Sequence, residues 1–234
     1  MLSVRDLRVQ FGHAEILQGV SLEIGREPFA VAGRNGMGKT TLCYAIMGMV
    51  PIHTGRVSFD GTAIERKSPT RIARAGIAIV PQGRRVFPSL TVDEHLRLVS
   101  QGKARAWTIE RVYETFPRLA ERKSNGGAQL SGGEQQMLAI SRALLLNPKL
   151  IIMDEPSEGL APVLVDQLIE VLKKLAGEGI GLLLIEQNLR VATSVAATVA
   201  IMVSGRITAQ LPSQQLNADE ALQRRYLGVA TGSH

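Results

Sequence analysis

Leu2, Val4, Leu7 and Val9, and then Val20, Leu22 and Ile24, alternate approximately with polar residues. That is the period of half-buried strands, and it predicts two strands joined through Gly12 to Gly19. Val57–Phe59, running into Asp60-Gly61, predicts part of a hairpin, so the chain opens antiparallel. From Phe29 to Ala32 a short apolar run enters a glycine-rich loop, followed by a helix from about Lys39 to Met49 that Pro51 ends. The texture changes over roughly Arg84 to Gln129. There Thr91 and Glu94 form a capping box opening a helix to about Ser100, a second helix runs near Thr108 to Phe116, and Asn125-Gly126-Gly127 makes a break. Helix and strand then alternate: helix Glu134 to Leu146, strand Leu150 to Met153, helix Val163 to Ala176, strand Ile180 to Ile185, helix near Leu189 to Ala197 and strand Val199 to Val203. This predicts an α/β fold with a mainly parallel sheet, an N-terminal antiparallel β subdomain and an α-helical subdomain inserted at approximately 84–140, all in one domain spanning 1–234.

Composition narrows the class. Hydrophobic residues at 45% and charged residues at 21% of 234 exclude disordered and fibrous chains. The net charge of +6 suits any polyanion. Its basic residues lie in short groups such as Arg84-Arg85 and Arg122-Lys123, and aromatics make up only 4%, so no nucleic-acid partner is expected. The single cysteine, Cys43, fits a reducing compartment and reads as a small core residue. No apolar run reaches the roughly 18 residues that span a bilayer, and Met1–Arg5 begins a strand pattern, not a signal peptide. Membrane association would come through a partner.

Gly33-Arg34-Asn35-Gly36-Met37-Gly38-Lys39-Thr40 matches G-x-x-x-x-G-K-[ST] between a predicted strand and a predicted helix, the context that identifies a P-loop. Glycines let backbone N–H groups close on phosphate oxygens, and the helix beginning at Lys39 aims its positive end there. Thr41 follows in that helix's first turn. Lys39 is placed to bridge the β- and γ-phosphates of ATP, and the Thr40 hydroxyl suits Mg²⁺, which takes hard oxygen ligands. Asp154-Glu155 ends the apolar run Leu150–Met153, at the sheet edge where open α/β sheets bind ligands. Asp154 reads as the carboxylate organising Mg²⁺, and Glu155 as the base that activates the attacking water. In Leu130-Ser131-Gly132-Gly133-Glu134-Gln135, Ser131 and Glu134 form a capping box, and the two glycines leave a bare, positive helix start. That is a second phosphate cradle. One nucleotide needs both only if two subunits share it.

With these motifs in order and at this spacing, the sequence resembles the ATP-binding subunits of ABC transporters over nearly its whole length. The resemblance implies that Gly33–Thr40 is the family's Walker A loop, Leu150–Glu155 its Walker B strand and Leu130–Gln135 its signature. It further implies that Gln82 is the glutamine that touches Mg²⁺ and relays to the membrane subunit, and that Phe11 is the aromatic that stacks on adenine. On the sequence alone, Gln82 reads as a loop polar residue and Phe11 as a strand-end core residue. The γ-phosphate histidine expected after the strand Ile180–Ile185 is replaced here by Gln187, and Glu158-Gly159-Leu160-Ala161 stands where Ser-Ala-Leu-Asp is common. Gln187 is therefore expected to position the γ-phosphate, the alternative being that it caps the following helix or faces solvent. Leu182–Asn188, Ser157–Pro162 and Pro81–Pro88 are similar to the branched-chain amino-acid uptake branch.

The resemblance implies an ATP-hydrolysing subunit that powers import of branched-chain or other hydrophobic amino acids, with urea or short amides as the alternative solute. Its implied partners are a second ATP-binding subunit, identical or sibling, membrane-spanning permease subunits and, indirectly, a solute-binding protein. Its implied place is the cytoplasmic face of the membrane, held there by the permease. Two other classes share the nucleotide motifs. A nucleic-acid- or ribosome-associated ATPase generally needs two fused cassettes or long coiled-coil arms, and a small-molecule P-loop kinase leaves Leu130–Gln135 unexplained.

Overall fold

The computed structural model describes residues 1–100, 106–219 and 221. The opening alternation extends further than the sequence pattern predicts. Strands β1 (Leu2–Phe11) and β2 (Ala14–Ile24) pair antiparallel with Phe11 opposite Ala14. The reversal is therefore the short Gly12-His13 turn, and Gly19 lies inside β2. There Gly19 takes a φ of 81° where the register slips between Leu7 and Arg8, and Asp6 a φ of 44° where it slips between Val4 and Leu7. The glycine thus marks a bulge and not a connection. Strands β4 (Thr54–Phe59) and β5 (Thr62–Ala63) complete a four-stranded sheet of order β2-β1-β4-β5.

A second sheet carries the order β10-β9-β3-β8-β7-β6. It contains β3 (Phe29–Ala32), β6 (Ile77–Val80), β7 (Leu150–Asp154), β8 (Gly181–Glu186), β9 (Thr198–Val203) and β10 (Arg206–Pro212). All neighbours are parallel except β9 and β10. Both faces are buried, which is why these strands read as continuous apolar runs. Ala30, Ile151, Leu182, Leu184 and Ile201 point into one core, whereas Phe29, Val31, Ile152, Leu183 and Ile185 point into the other. The first core is closed by Leu138 and Leu144 of α6 (Gly132–Leu144), Leu168 and Leu172 of α7 (Pro162–Gly177), Ala192 of α8 (Leu189–Val195) and Leu216 of α9 (Ser213–Ala218). The second is closed by Leu42 and Ile46 of α1 (Lys39–Ile46), Ile72 of α2 (Pro69–Arg74) and the inner face of the β1-β2-β4 sheet.

Between β6 and α6 lie α3 (Val92–Val99), α4 (Ile109–Thr115) and α5 (Pro117–Glu121). Thr91 caps α3 with the reciprocal Glu94 bond that the sequence signals, and α3 packs on α6. The sequence pattern does not show α2 and α5, which begin at Pro69 and Pro117 and are too short to display a helical period. Nor does it show β10, an edge strand with no fully buried residue. Helix α1 stops at Ile46, short of the expected Met49. Gly48, with a φ of 66° and Lys67 O at 2.7 Å from where a Cβ would sit, turns the chain there. Among the described residues no helix is long and apolar enough to cross a membrane.

The two sheets meet the glycine loop at one turn. Gly205, between β9 and β10, donates its N–H to Met37 O at 3.0 Å and accepts from Gln18 N at 2.9 Å. Its φ is 75°, and an added Cβ would lie 2.1 Å from Ile16 O, so only glycine fits. Gly205→Ala is expected to cost about 3 kcal/mol in urea unfolding, from combined strain and overpacking. Gly177→Ala, at the end of α7 with nothing within 4 Å, is expected to be neutral or stabilising.

Candidate active site

The loop after β3 lies against the ends of the neighbouring strands. Gly33 N donates to Glu186 O at 3.3 Å, and a Cβ at Gly33 would meet Met202 O at 2.5 Å. Gly38, with a φ of 97°, caps α1 without any side-chain bond. The first N–H groups of α1 thus stay available beside the loop. Arg34, Asn35 and Gly36 are exposed, whereas Met37, Thr40 and Thr41 are half-buried. Lys39 is only 3% exposed. Its ammonium donates to Gly33 O at 2.8 Å and Arg34 O at 3.0 Å, and pairs with Glu155 Oε1 at 3.1 Å.

Across the sheet, β7 delivers two carboxylates at its C-terminal end. The Thr40 hydroxyl donates to Asp154 Oδ1 at 3.2 Å, while Asp154 Oδ2 is buried with no hydrogen-bond partner. Burial pushes the Asp154 carboxyl up to about 6, and the neighbouring Glu155 adds to that, against the Thr40 bond and the Lys39 charge. Glu155 sits in the left-handed region with a φ of 49°, and its N–H donates to Ile185 O at 2.8 Å. A non-glycine residue held there is locally strained, and this turn aims the side chain back toward Lys39. A cavity of about 260 Å³ lies beside the pair, lined by Asn35, Glu155, Ser157, Glu158, Glu186, Gln187 and Asn188.

Gln187 faces this cavity from the end of β8. The cap of α8 is Asn188, which accepts from Val191 N at 3.4 Å, so the capping role does not fall to Gln187. Gln82 is not joined to Thr40 and Asp154: its amide donates to Glu158 Oε2 at 2.9 Å. Phe11 is 47% exposed at the hairpin end, which removes the core-residue reading and leaves its ring face accessible. Ser131 and Glu134 form the reciprocal capping box of α6, Ser131 N to Glu134 Oε2 at 2.8 Å and Glu134 N to Ser131 Oγ at 3.3 Å. Glu134 also pairs with Arg118 at 3.5 Å and Arg122 at 3.8 Å. Burial raises its carboxyl, but the Ser131 bonds and the two arginines more than offset this and hold it below its ordinary value. Gly132 lies against Arg84 and Gly133 against Leu164. All the signature's polar contacts therefore stay on the helical side of the molecule, and none reaches Gly33–Thr40.

Sequence reasoning missed Glu186 and Ser157. Glu186 is 1% exposed and accepts from both the N–H and the hydroxyl of Ser157. A charged residue closing the apolar run Leu182–Ile185 was the available signal.

Known proteins share this arrangement. The ABC transporter family pattern matches residues 17–158. The branched-chain amino acid transport ATP-binding protein BraG of Pseudomonas aeruginosa is 37% identical over 97% of this chain and 100% of its own. The lipopolysaccharide export ATP-binding protein LptB of Haemophilus influenzae is 32% identical over 97% of each. Among solved structures, the ADP conformation of an ATP-binding cassette of an ABC transporter superposes with a TM-score of 0.81 at 27% identity, over 98% of this chain and 99% of that one. A nucleotide loop braced between two sheets, paired carboxylates at the sheet edge and near full-length relatives agree: the chain belongs to the ABC transporter family, as an ATP-binding, ATP-hydrolysing subunit.

Proposed function

We propose that this subunit works as one half of a dimeric motor, in which each ATP is held between Gly33–Thr40 of one copy and Ser131–Glu134 of the other. The observation that carries this reading is the separation of two phosphate-suited helix starts, α1 and α6, whose polar contacts do not converge within one chain. Lys39 binds the β- and γ-phosphates, and backbone N–H groups of Arg34 to Thr41 close on their oxygens. Phe11 stacks on the base. Thr40 and Asp154 fit a magnesium ion: a hydroxyl and a carboxylate stand together, and one carboxylate oxygen is buried without a partner, a costly arrangement for an anion alone. The ion would supply charge neutralisation on the phosphates. The γ-phosphate competes with Glu155 for the Lys39 ammonium, and Glu155 so released accepts the proton of the attacking water. Gln187 donates an amide N–H toward the γ-phosphate and does not titrate near neutral pH. Gln82, held by Glu158 here, would turn toward the ion as the two lobes close, and so report nucleotide state to the permease.

The transported solute we assign to the branched-chain amino-acid class, with a solute-binding protein and permease completing the importer and this subunit on the cytoplasmic membrane face. The support is the 37% identity to BraG against 32% to LptB, together with Glu186-Gln187-Asn188 and Ser157–Pro162. Transport assays with the neighbouring permease, comparing leucine with urea, test the solute.

Three outcomes test the machinery. Glu155→Gln is expected to bind ATP without hydrolysing it and to accumulate as a closed dimer in light scattering. A variant that stays monomeric at saturating Mg-ATP and high protein concentration removes the dimeric reading. Asp154→Asn is expected to lower hydrolysis by about two orders of magnitude. The same change should raise the Tm of the nucleotide-free protein at pH 8. The carboxyl rises from its ordinary 3.8 to about 6 on folding, so it stabilises below pH 4 and that contribution is lost as pH rises through 6. The penalty reaches about 3 kcal/mol at pH 8, and the variant's advantage should vanish near pH 4. Gln187→Ala is expected to lower kcat on the order of 10-fold with ATP affinity little changed, and Gln187→His to add a pH limb near about 6.5. An alanine variant with an unchanged rate rules out the sensor role.

A further inference from the structure

The carboxylate of Glu186, the last residue of β8, is buried without a cation. Its Oε1 accepts from Ser157 N at 3.1 Å, and its Oε2 from Ser157 Oγ at 3.0 Å and Asn188 N at 3.2 Å. Its backbone carbonyl accepts from Gly33 N at 3.3 Å. One residue therefore touches three segments: the first residue of the phosphate loop, the turn two residues after Glu155, and the loop that carries Gln187. The charged group nearest to it in effect is Glu155, which repels it. Burial pushes its carboxyl up to about 7, which measures what it costs to hold a charge there. An apolar side chain would fill the same volume more cheaply, so packing does not account for a carboxylate at this position.

We propose that Glu186 is a positioning residue for ATP hydrolysis, whose carboxylate ties the Glu155–Ser157 turn to the Gln187–Asn188 loop and so fixes both walls of the cleft against the phosphate loop. Three donors converge on two oxygens, which only a carboxylate can satisfy. In a glutamine, either orientation points the amide NH₂ at a backbone N–H, of Ser157 or of Asn188, so at least one of the three bonds is replaced by two donors facing each other. Glu155 stands in a strained left-handed conformation that surrounding bonds must hold; Lys39 and Glu158 N bond Glu155 itself, and the Ser157 pair anchors the chain two residues further on. A shift of about 1 Å in a base or a γ-phosphate contact is enough to cost on the order of 100-fold in rate, with binding spared. The Gln187 half of the clamp rests on the role proposed for that residue; the Glu155 half does not.

Steady-state ATPase kinetics of the full chain test this, with fluorescent-nucleotide affinity and thermal unfolding measured on the same samples. Glu186→Gln is expected to lower kcat about 10-fold or more with KM for ATP within about 2-fold of wild type. Ser157→Ala, which removes one of the three donors, is expected to lower kcat by a smaller factor, and the double variant to be no slower than Glu186→Gln alone. A kcat within 2-fold of wild type in folded Glu186→Gln overturns the proposal, as does a loss of kcat matched by an equal rise in KM and independent, multiplicative effects in the double variant. If Glu186→Gln does not fold, Ser157→Ala decides, an unchanged kcat counting against the clamp. Gln187→Ala separates the two readings: an unchanged rate there with a slowed Glu186→Gln leaves the clamp standing through Glu155 and removes only the γ-phosphate role.

Discussion

The ammonium of Lys39 is almost sealed from water, and everything around it follows from the need to satisfy it. It has three donors and finds three acceptors, the carbonyls of Gly33 and Arg34 and one oxygen of Glu155. Leaving a buried cation short of partners costs several kcal/mol. The loop therefore curls so that its own carbonyls face inward, and the strand bearing Glu155 must end at the same level as the strand feeding the loop. Parallel strands buried on both faces permit polar groups only at their ends. The site consequently lies at the C-terminal edge, where β3, β7 and β8 finish side by side.

That arrangement leaves three carboxylates facing a single ammonium. Asp154 has one oxygen tied to Thr40 and one without a partner, Glu155 repels both Asp154 and Glu186, and the Lys39 ammonium pairs with Glu155 alone. Such a cluster lowers stability at neutral pH. On the proposed reading, a cation and phosphate oxygens entering together would relieve it, and the free energy withheld in folding would become available for binding. The bracing that tolerates this strain comes from outside the sheet edge. The Gly205 turn holds Met37 from one side and Gln18 of β2 from the other, and the β1-β2-β4 sheet thereby backs the loop that it does not itself form.

The signature obeys the opposite rule. Ser131 and Glu134 satisfy each other, Glu134 is held by Arg118 and Arg122, and the helix start at Gly132 is exposed or half-buried on the helical side. Its polar side chains are paired with one another, which on the proposed reading suits a rigid cap whose helix-start N–H groups meet a nucleotide brought by a second chain. A strained site at the phosphate loop and a relaxed one at the signature are what the proposed opening and closing dimer would need.

Local chemistry determined much of this by itself. Period-two alternation and continuous apolar runs, each forced by burial on one or both faces, specified the strands; Thr91-Glu94 and Ser131-Glu134 specified two helix starts through bonds made within four residues. The order of glycines, Lys39 and Thr40 required a phosphate loop because only that spacing lets backbone N–H groups converge. The short helices α2 and α5 escape, since five or six residues hold no helical period, and β10 escapes because an edge strand buries no residue fully; Gly19 reads as a connection because a bulge and a turn ask the same freedom of a glycine. Tertiary structure alone decided which groups share a charge. That Lys39 rests on Glu155, that Gln82 is held by Glu158 and that Glu186 reaches Ser157 depend on segments roughly 30 to 120 residues apart being brought together by strands in register. Hydrogen bonds reach about 3 Å, and no pattern along the chain encodes which distant ends will come that close.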